Sequence, residues 1–393
     1  MDFSLTREQE MVRRMASEFA EKFCEPEAAA IDESHEFPME TWKKMQQYGL
    51  LRINHAREYG GTGLDPVAEM IVIEELSKAS LTHGAIYALL GNGFPTFVEL
   101  FGTKEQKEKY VTAVLEQGDI GSFEMTEPDA GSDAGGVHTT STKDGDDYII
   151  NGAKCFITAG NIAKYHLVVC QADAKAGERG FNGFIVESGT PGLTIGKIEN
   201  KMGIRALPTA EVIYEDVRVS KEQMLGGPGA VGKMMKFALG TLDAARIGTG
   251  AQALGVATAA FEKALSYSGE RVQFGKPINA NQGIKWYLAE MAGKLDMARL
   301  LIYRAAWLES QGKPFSKEAA MAKLYATGFG REIVNDALQI HGGYGYVHDY
   351  PLERMYRDIK ITEIYEGSSE IMKVVIANNL IPRAPKKKDK KAK

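Results

Sequence analysis

The stretch DYIINGAKCFITAG (residues 147–160) decides how the chain is divided. It is a short run rich in β-branched and aromatic residues, punctuated by Asp, Asn and Gly, which is the composition of a strand with turns and not of a helix. YHLVVCQAD (165–173), GFNGFIVES (180–188) and AEVIYEDVRVS (210–220) repeat that texture. These runs follow one another closely without helices between them, which favours an antiparallel barrel or sandwich over a parallel sheet. Residues 119–232 are therefore expected to form a middle β domain.

On either side the pattern is helical. Upstream, Thr6 followed by Gln9 fits a capping box, and helical periodicity runs from there to about Gln117. Breaks fall at Pro26, Pro38, the glycine cluster of residues 60–63 and Pro66. This gives an N-terminal α-helical domain over residues 1–118. Within it, THGAIYALLGNGFPTFVELF (82–101) is interrupted by Gly84, Gly91, Gly93 and Pro95. Two readings stand for that segment: small residues, Ala88 among them, leave space for a ligand, or a core helix is locally irregular.

Downstream, an apolar stripe runs through Ile247, Ala251, Leu254, Ala257, Phe261 and Leu265, and a second through Leu288, Met291, Leu295, Ala298, Ile302 and Ala305. A third helix covers about residues 317–340 and ends at HGGYGY (341–346), and a last one leads to the C-terminal tail. Residues 233–382 are thus expected to form a C-terminal four-helix bundle, so the fold is α+β and multidomain.

A chain of 393 residues suits two or three packed domains, and 25% charged with 44% hydrophobic residues is the composition of an ordinary soluble protein. Cys24, Cys155 and Cys170 show neither pairing nor metal-like spacing. There is no leader-like N-terminus and no apolar run of roughly 18 residues, so a cytoplasmic protein without a membrane span is expected. The net charge of −5 hides a tail, residues 383–393, that carries seven positive residues and one Asp, leaving an acidic body. Nucleic-acid binding is disfavoured, and the tail reads as a disordered, solubilising extension.

Two glycine patterns fail their context. GPGAVGK (227–233) approaches a phosphate loop, but Met234 stands where a hydroxyl would hold magnesium, so a strand-to-helix connection is the better reading. GTGAQALG (248–255) lies inside a helical stripe, not after a strand, which removes the dinucleotide fingerprint.

Five other motifs occur in order: MTEPDAGSD (125–133), CFITAG (155–160), ERVQFGKPI (270–278), QIHGGYGY (339–346) and IYEGSSEI (364–371). With them, and with its α, β, α order, the chain resembles the acyl-CoA dehydrogenase family from about Phe3 to Ile381, closest in texture to short-chain and enoyl-CoA reductase-like members. The resemblance implies FAD bound between the β domain and the C-terminal helices of a homotetramer. Thr126, Ser132, Phe156 and Thr158 would contact the flavin, with Ser368 and Glu370 joining the cofactor site. Arg271, Phe274, Gln339 and Gly343 would grip the pyrophosphate and adenosine of a flavin belonging largely to another subunit.

Dehydrogenating an acyl-CoA requires a carboxylate to remove the α-proton while a hydride leaves the β-carbon, and donors where charge develops on the thioester oxygen. The resemblance gives Glu366 as the base, with its own backbone N–H as one donor and Gly367 letting the backbone approach the thioester. Some relatives carry the base on the helix of residues 243–246, where this chain has Ala245. Asp243 and Arg246 match residues near the pantetheine arm, or form a salt bridge inside the bundle. Glutaryl-CoA-specific members carry an Arg near Gly84, which is absent here.

Glu124, where relatives have a small or apolar residue, leaves three readings: it tunes the flavin, recognises a polar acyl group, or faces solvent at a strand end. Asn281 replaces a commonly aromatic residue. The function implied is oxidation of a short, branched or cyclic acyl-CoA with electrons passed to an electron-transfer flavoprotein. The alternatives are an enoyl-CoA reductase running the reverse reaction and a non-catalytic CoA-binding subunit.

Overall fold

The structure, a computed structural model, describes residues 4–381; the expected disordered tail lies outside the described residues. The order is helices, a seven-stranded sheet, then long helices. The first helix, Arg7–Phe19, opens on the expected capping box: Gln9 N donates to Thr6 Oγ1 at 3.2 Å and Thr6 N to Gln9 Oε1 at 3.0 Å. Pro66 opens a helix instead of interrupting one. It is the first residue of Pro66–Ala79, where Ala68 N donates to the Asp65 carboxylate at 2.9 Å. That helix buries Val67, Met70, Ile71, Val72, Ile73 and Leu76, faces all round, because it lies between its own domain and the long Met234–Glu270 helix.

The strands are β1 (Gly121–Glu124), β2 (Thr140–Asp144), β3 (Asp147–Thr158), β4 (Tyr165–Gln171), β5 (Phe181–Glu187), β6 (Leu193–Ile198) and β7 (Thr209–Ser220). They run in the order β1-β4-β2-β3-β7-β6, with β5 on β4. The long ladders β2/β3, β3/β7, β4/β5 and β6/β7 are antiparallel. The expectation of antiparallel pairing throughout is refined at one place: β1 lies parallel to β4 over Gly121–Glu124, and Thr140 of β2 also meets Gln171 of β4 in parallel. The β2/β3 hairpin supplies the crossover chain that a parallel pair needs.

Two register shifts interrupt β3 against β7, at Ile150/Gly152 and Lys154/Ile157. Such bulges bend a strand and re-aim a side chain. At the second, Phe156 takes a left-handed φ of 56° and its ring is 63% exposed, within a strand whose Ile150, Lys154 and Ile157 are buried.

The C-terminal part consists of Met234–Glu270, Gln282–Ser310, Ser316–His341 and Ser369–Leu380, with a short Leu352–Ile359 helix. The stripe of the second bundle helix is buried from Met291 to Ala305. The stripe of the first is buried through Ala257, but Leu265 is exposed within one chain. Among the described residues no helix is long and apolar enough to cross a membrane.

Of the two readings of residues 82–101, the one that leaves space finds none at the three glycines. A Cβ on Gly84 would stand 1.8 Å from Ser77 Oγ, one on Gly93 2.2 Å from the Leu89 carbonyl oxygen, and one on Gly91 3.1 Å from Leu51 Cδ2. These positions are filled by neighbouring side chains and backbone. The segment is an irregular core helix with a π-helical turn at Tyr87–Gly91.

Candidate active site

Glu366 lies on a turn between the Lys360–Glu363 turn and the last helix. It has φ 55° and Gly367 has φ 95°, two successive left-handed residues ahead of the Ser368 N-cap. Seven described residues other than glycine have positive φ, and Phe156, Phe274 and Glu366 are three of them. Backbone in this region is costly for residues with a Cβ and is held by its surroundings. Here those surroundings are Tyr365, whose hydroxyl donates to Gln252 Oε1 of the long helix, and Lys323, whose Nζ donates to the Gly367 carbonyl.

The Glu366 side chain is half-buried and accepts no hydrogen bond among the described residues. Withdrawal from water pushes its carboxyl above the ordinary carboxylate range, opposed by the charges of Lys323 and Arg246. Lys323 is fully buried, and that burial pulls its ammonium down to about 8 despite the nearby Glu366 carboxylate. Arg246 Nη1 donates to Asp243 Oδ1 at 2.6 Å, Ser316 Oγ donates to the same oxygen at 3.2 Å, and Arg246 Nε is buried without a partner. Asp243 and Arg246 thus form the salt bridge inside the bundle, and the Arg246 charge acts on Glu366. Asp243 also lines a cleft of about 580 Å³ with Phe315, Ser316, Glu318 and Asn379.

The second group lies on the β domain. Cys155 N donates to the Thr126 carbonyl at 3.0 Å, tying the 125–133 loop to β3 at the residue before Phe156. The loop is anchored by Glu127, which accepts from Lys154 Nζ at 2.7 Å, Thr139 Oγ1 at 2.6 Å, Thr139 N at 2.9 Å and His138 N at 2.6 Å. Burial raises the Glu127 carboxyl, but Lys154, Thr139 and the two backbone N–H groups outweigh it and hold the group at about 2. Thr126 and Thr158 are half-buried and Ser132 is exposed.

Glu124 requires a correction: it does not face solvent. It is fully buried, accepting from Ser122 Oγ at 2.7 Å and Tyr214 OH at 2.7 Å, with His166 Nδ1 at 2.7 Å. Strand alternation turns it toward β4 and β7, inside the β domain, while its neighbours Phe123 and Met125 pack toward the helices.

Arg271 and Gly343 gather at a separate cleft of about 670 Å³, to which neither the Glu366 turn nor the 125–133 loop contributes lining. The Arg271 guanidinium lies 5.6 Å from the Tyr344 ring centroid, and Tyr267 stacks on His341 at 4.3 Å. His341 Nδ1 donates to the Ala337 carbonyl at 2.8 Å, its Nε2 is buried without a partner, and burial lowers its pKa. Phe274, beside the cleft, is 96% exposed at φ 52°, and Gln339 is exposed. A guanidinium, aromatic walls, close backbone at Gly342 and Gly343 and an orphaned ring nitrogen suit an anionic group that carries rings, so the residues present fit a dinucleotide. Asn281 bonds locally, its Nδ2 donating to the Ile278 carbonyl at 3.0 Å.

Sequence reading missed Lys323 and His341. Both had a signal. Lys323 falls on the buried stripe formed by Ala319, Ala326, Gly330 and Val334, where a lysine has to find a partner.

The chain matches the acyl-CoA dehydrogenase N-terminal domain over residues 6–117, the middle domain over 122–217 and the C-terminal domain over 233–381. It is 50% identical over 385 residues to an acryloyl-CoA reductase (NADH) of Anaerotignum propionicum, covering 98% of this chain and 97% of that one. Butyryl-CoA dehydrogenase of Megasphaera elsdenii superposes with a TM-score of 0.93 at 40% identity, covering 97% of this chain and 100% of the other. A chain from a structure of the electron transferring flavoprotein of Acidaminococcus fermentans superposes with a TM-score of 0.94 at 44% identity, covering 98% and 100%.

Proposed function

The chain belongs to the acyl-CoA dehydrogenase family, flavoproteins that act on CH–CH bonds, and from that premise we propose that it is an FAD-dependent enzyme oxidising a short acyl-CoA to its 2-enoyl-CoA. Glu366 takes the α-proton onto its carboxylate. A half-buried carboxyl with a raised proton affinity and no hydrogen bond to occupy its lone pairs is the observation that carries this reading. The Glu366 backbone N–H steadies the thioester oxygen, and Gly367 lets that backbone come close. Asp243 and Arg246 orient the pantetheine arm. Thr126, Ser132, Phe156, Thr158, Ser368 and Glu370 hold the flavin end of the cofactor, and Arg271, Phe274, Gln339 and Gly343 hold the pyrophosphate and adenosine end for a neighbouring subunit. FAD, when bound, supplies the acceptor for the β-hydride.

The exposed Phe274, Trp286 and Tyr346 support a homotetramer in which these rings meet a partner. Unpaired Cys24, Cys155 and Cys170 suit a cytoplasmic setting. The butyryl and acryloyl relatives support an acyl group of the short class, and the likeness to a chain from an electron transferring flavoprotein structure supports such a flavoprotein as electron partner. The same likeness to an acryloyl-CoA reductase favours a second reading, in which the reaction runs toward the saturated thioester.

The test is anaerobic titration of the yellow holoenzyme with C3 to C6 acyl-CoAs, following flavin bleaching. Glu366→Gln is expected to keep FAD and CoA binding and to bleach about 10³-fold or more slowly. Near-normal bleaching would sink the base assignment. Re-oxidation of the reduced enzyme by acryloyl- or crotonyl-CoA, faster than by the flavoprotein, would favour the reductive direction.

A further inference from the structure

We propose that Lys323 is a positioning residue for Glu366: its buried ammonium fastens the Gly367 carbonyl, holds the left-handed turn that presents the carboxylate, and keeps that carboxylate ionised. This rests on the reading of Glu366 as the base.

Three observations carry it. Lys323 has no exposed surface, on a helix face otherwise made of Ala319, Ala326, Thr327 and Gly330, so an ammonium there is expensive unless it is used. Its Nζ reaches a carbonyl that belongs to the residue immediately after Glu366. That carbonyl follows two successive left-handed residues, and a bond to it selects this backbone over the extended one Glu366 would otherwise adopt.

The charges around the pair are few. Lys323 is faced by Glu366, Arg246, Glu363 and Glu370. Glu363 is already engaged by Arg331 Nε at 3.1 Å and Lys360 Nζ at 2.6 Å, and Glu370 is exposed. Arg246 is committed to Asp243 at 2.6 Å. Lys323 therefore is the cation whose hydrogen bond lies within the Glu366 turn itself. Placing a cation beside a desolvated carboxylate favours the charged form, so the pair offsets the burial that would otherwise protonate the base.

The experiment is infrared difference spectroscopy of the FAD-loaded enzyme across pH, with Glu366→Gln subtracted to isolate the Glu366 carboxyl band. In the wild type the carboxylate band is expected to be present at pH 7. In Lys323→Met, which removes charge and bond, and in Lys323→Gln, which retains a donor for the Gly367 carbonyl, the protonation midpoint should rise by roughly one to three pH units. The acid limb of the flavin-bleaching rate should move with it. A packing role alone would alter melting temperature and leave the midpoint in place.

A midpoint unchanged in either folded variant overturns the proposal. If neither variant folds, a protonated Glu366 in the wild type at pH 7 overturns it and an ionised one supports it. Failure of the base assignment is separate, because it is read from the bleaching rate of Glu366→Gln and not from the Lys323 variants.

Discussion

Glu127 and Glu366 are both withdrawn from water and are held in opposite ways. Glu127 accepts four hydrogen bonds, from Lys154, twice from Thr139 and from His138, and its carboxyl sits at about 2. Glu366 accepts none among the described residues, and its carboxyl is pushed up. A carboxylate whose lone pairs are filled by fixed donors is a structural anchor and a poor base. One that is desolvated and unfilled has its proton affinity available for chemistry. The difference explains why two motifs that each centre on a Glu, in MTEPDAGSD and IYEGSSEI, divide into scaffold and chemistry.

The largest expected contrast is in stability. Lys154→Met leaves Glu127 buried without its cation and should cost about 3–5 kcal/mol, with loss of FAD as the 125–133 loop loosens. Glu366→Gln removes a desolvated charge that has no hydrogen bond to lose and leaves Lys323 its bond to the Gly367 carbonyl, so it should cost about 1 kcal/mol or less. Denaturant unfolding of both holoenzymes at pH 7 makes the comparison. Equal losses would break it.

A smaller contrast appears in the pH dependence of melting. Glu127 folds with its carboxyl at about 2, below the ordinary 4.5, so its contribution is present above 4.5 and is lost as pH falls toward 2. Asp358 behaves as the opposite type: burial lifts it from 3.8 to about 6 even though it accepts from Ile204 N at 2.6 Å. Its contribution is present below 3.8 and is lost as pH rises through 6. Asp358→Asn keeps an acceptor for Ile204 and should flatten the decline between pH 4 and 7, worth on the order of 2 kcal/mol. Glu127→Gln should flatten only the acid limb. An unchanged slope in Asp358→Asn would assign the decline to Glu309 or Glu69, which burial lifts to about 7 and about 8.

Local chemistry was legible in the sequence wherever neighbours within a few residues decide the outcome. The Thr6 and Gln9 capping box and the buried stripe from Met291 to Ala305 needed only propensity and period. What was not legible depends on partners far along the chain. Glu124 looks like a solvent-facing or flavin-facing residue until β4 and β7 bring His166 and Tyr214 against it. Gly84 and Gly93 suggest empty space until Ser77 and the Leu89 carbonyl are seen to fill it. The motif residues gather in three groups, and the separateness of the Arg271 and Gly343 cleft was legible only through the family resemblance, which gave those residues to another subunit's flavin, and not through their spacing.

The smallest effect sharpens the same comparison at the level of backbone. Gly131 in the 125–133 loop has ordinary φ and nothing within 4 Å of an added Cβ, whereas Gly367 has φ 95° and its Cβ would come 2.7 Å from Met372 Cε. Gly131→Ala should therefore change stability by no more than about 0.5 kcal/mol. Gly367→Ala should cost about 1 kcal/mol from the left-handed strain, the Met372 terminus being free to shift. The anchored loop draws its shape from Glu127 and does not need its glycine. The Glu366 turn has no such anchor on its carboxylate and draws its shape from the backbone, so the Ala at 367 should also slow bleaching while FAD binding is kept. A Gly131→Ala enzyme that bleaches as slowly as Gly367→Ala would mean that both loops depend on backbone freedom, and that the saturated Glu127 is not what fixes the first.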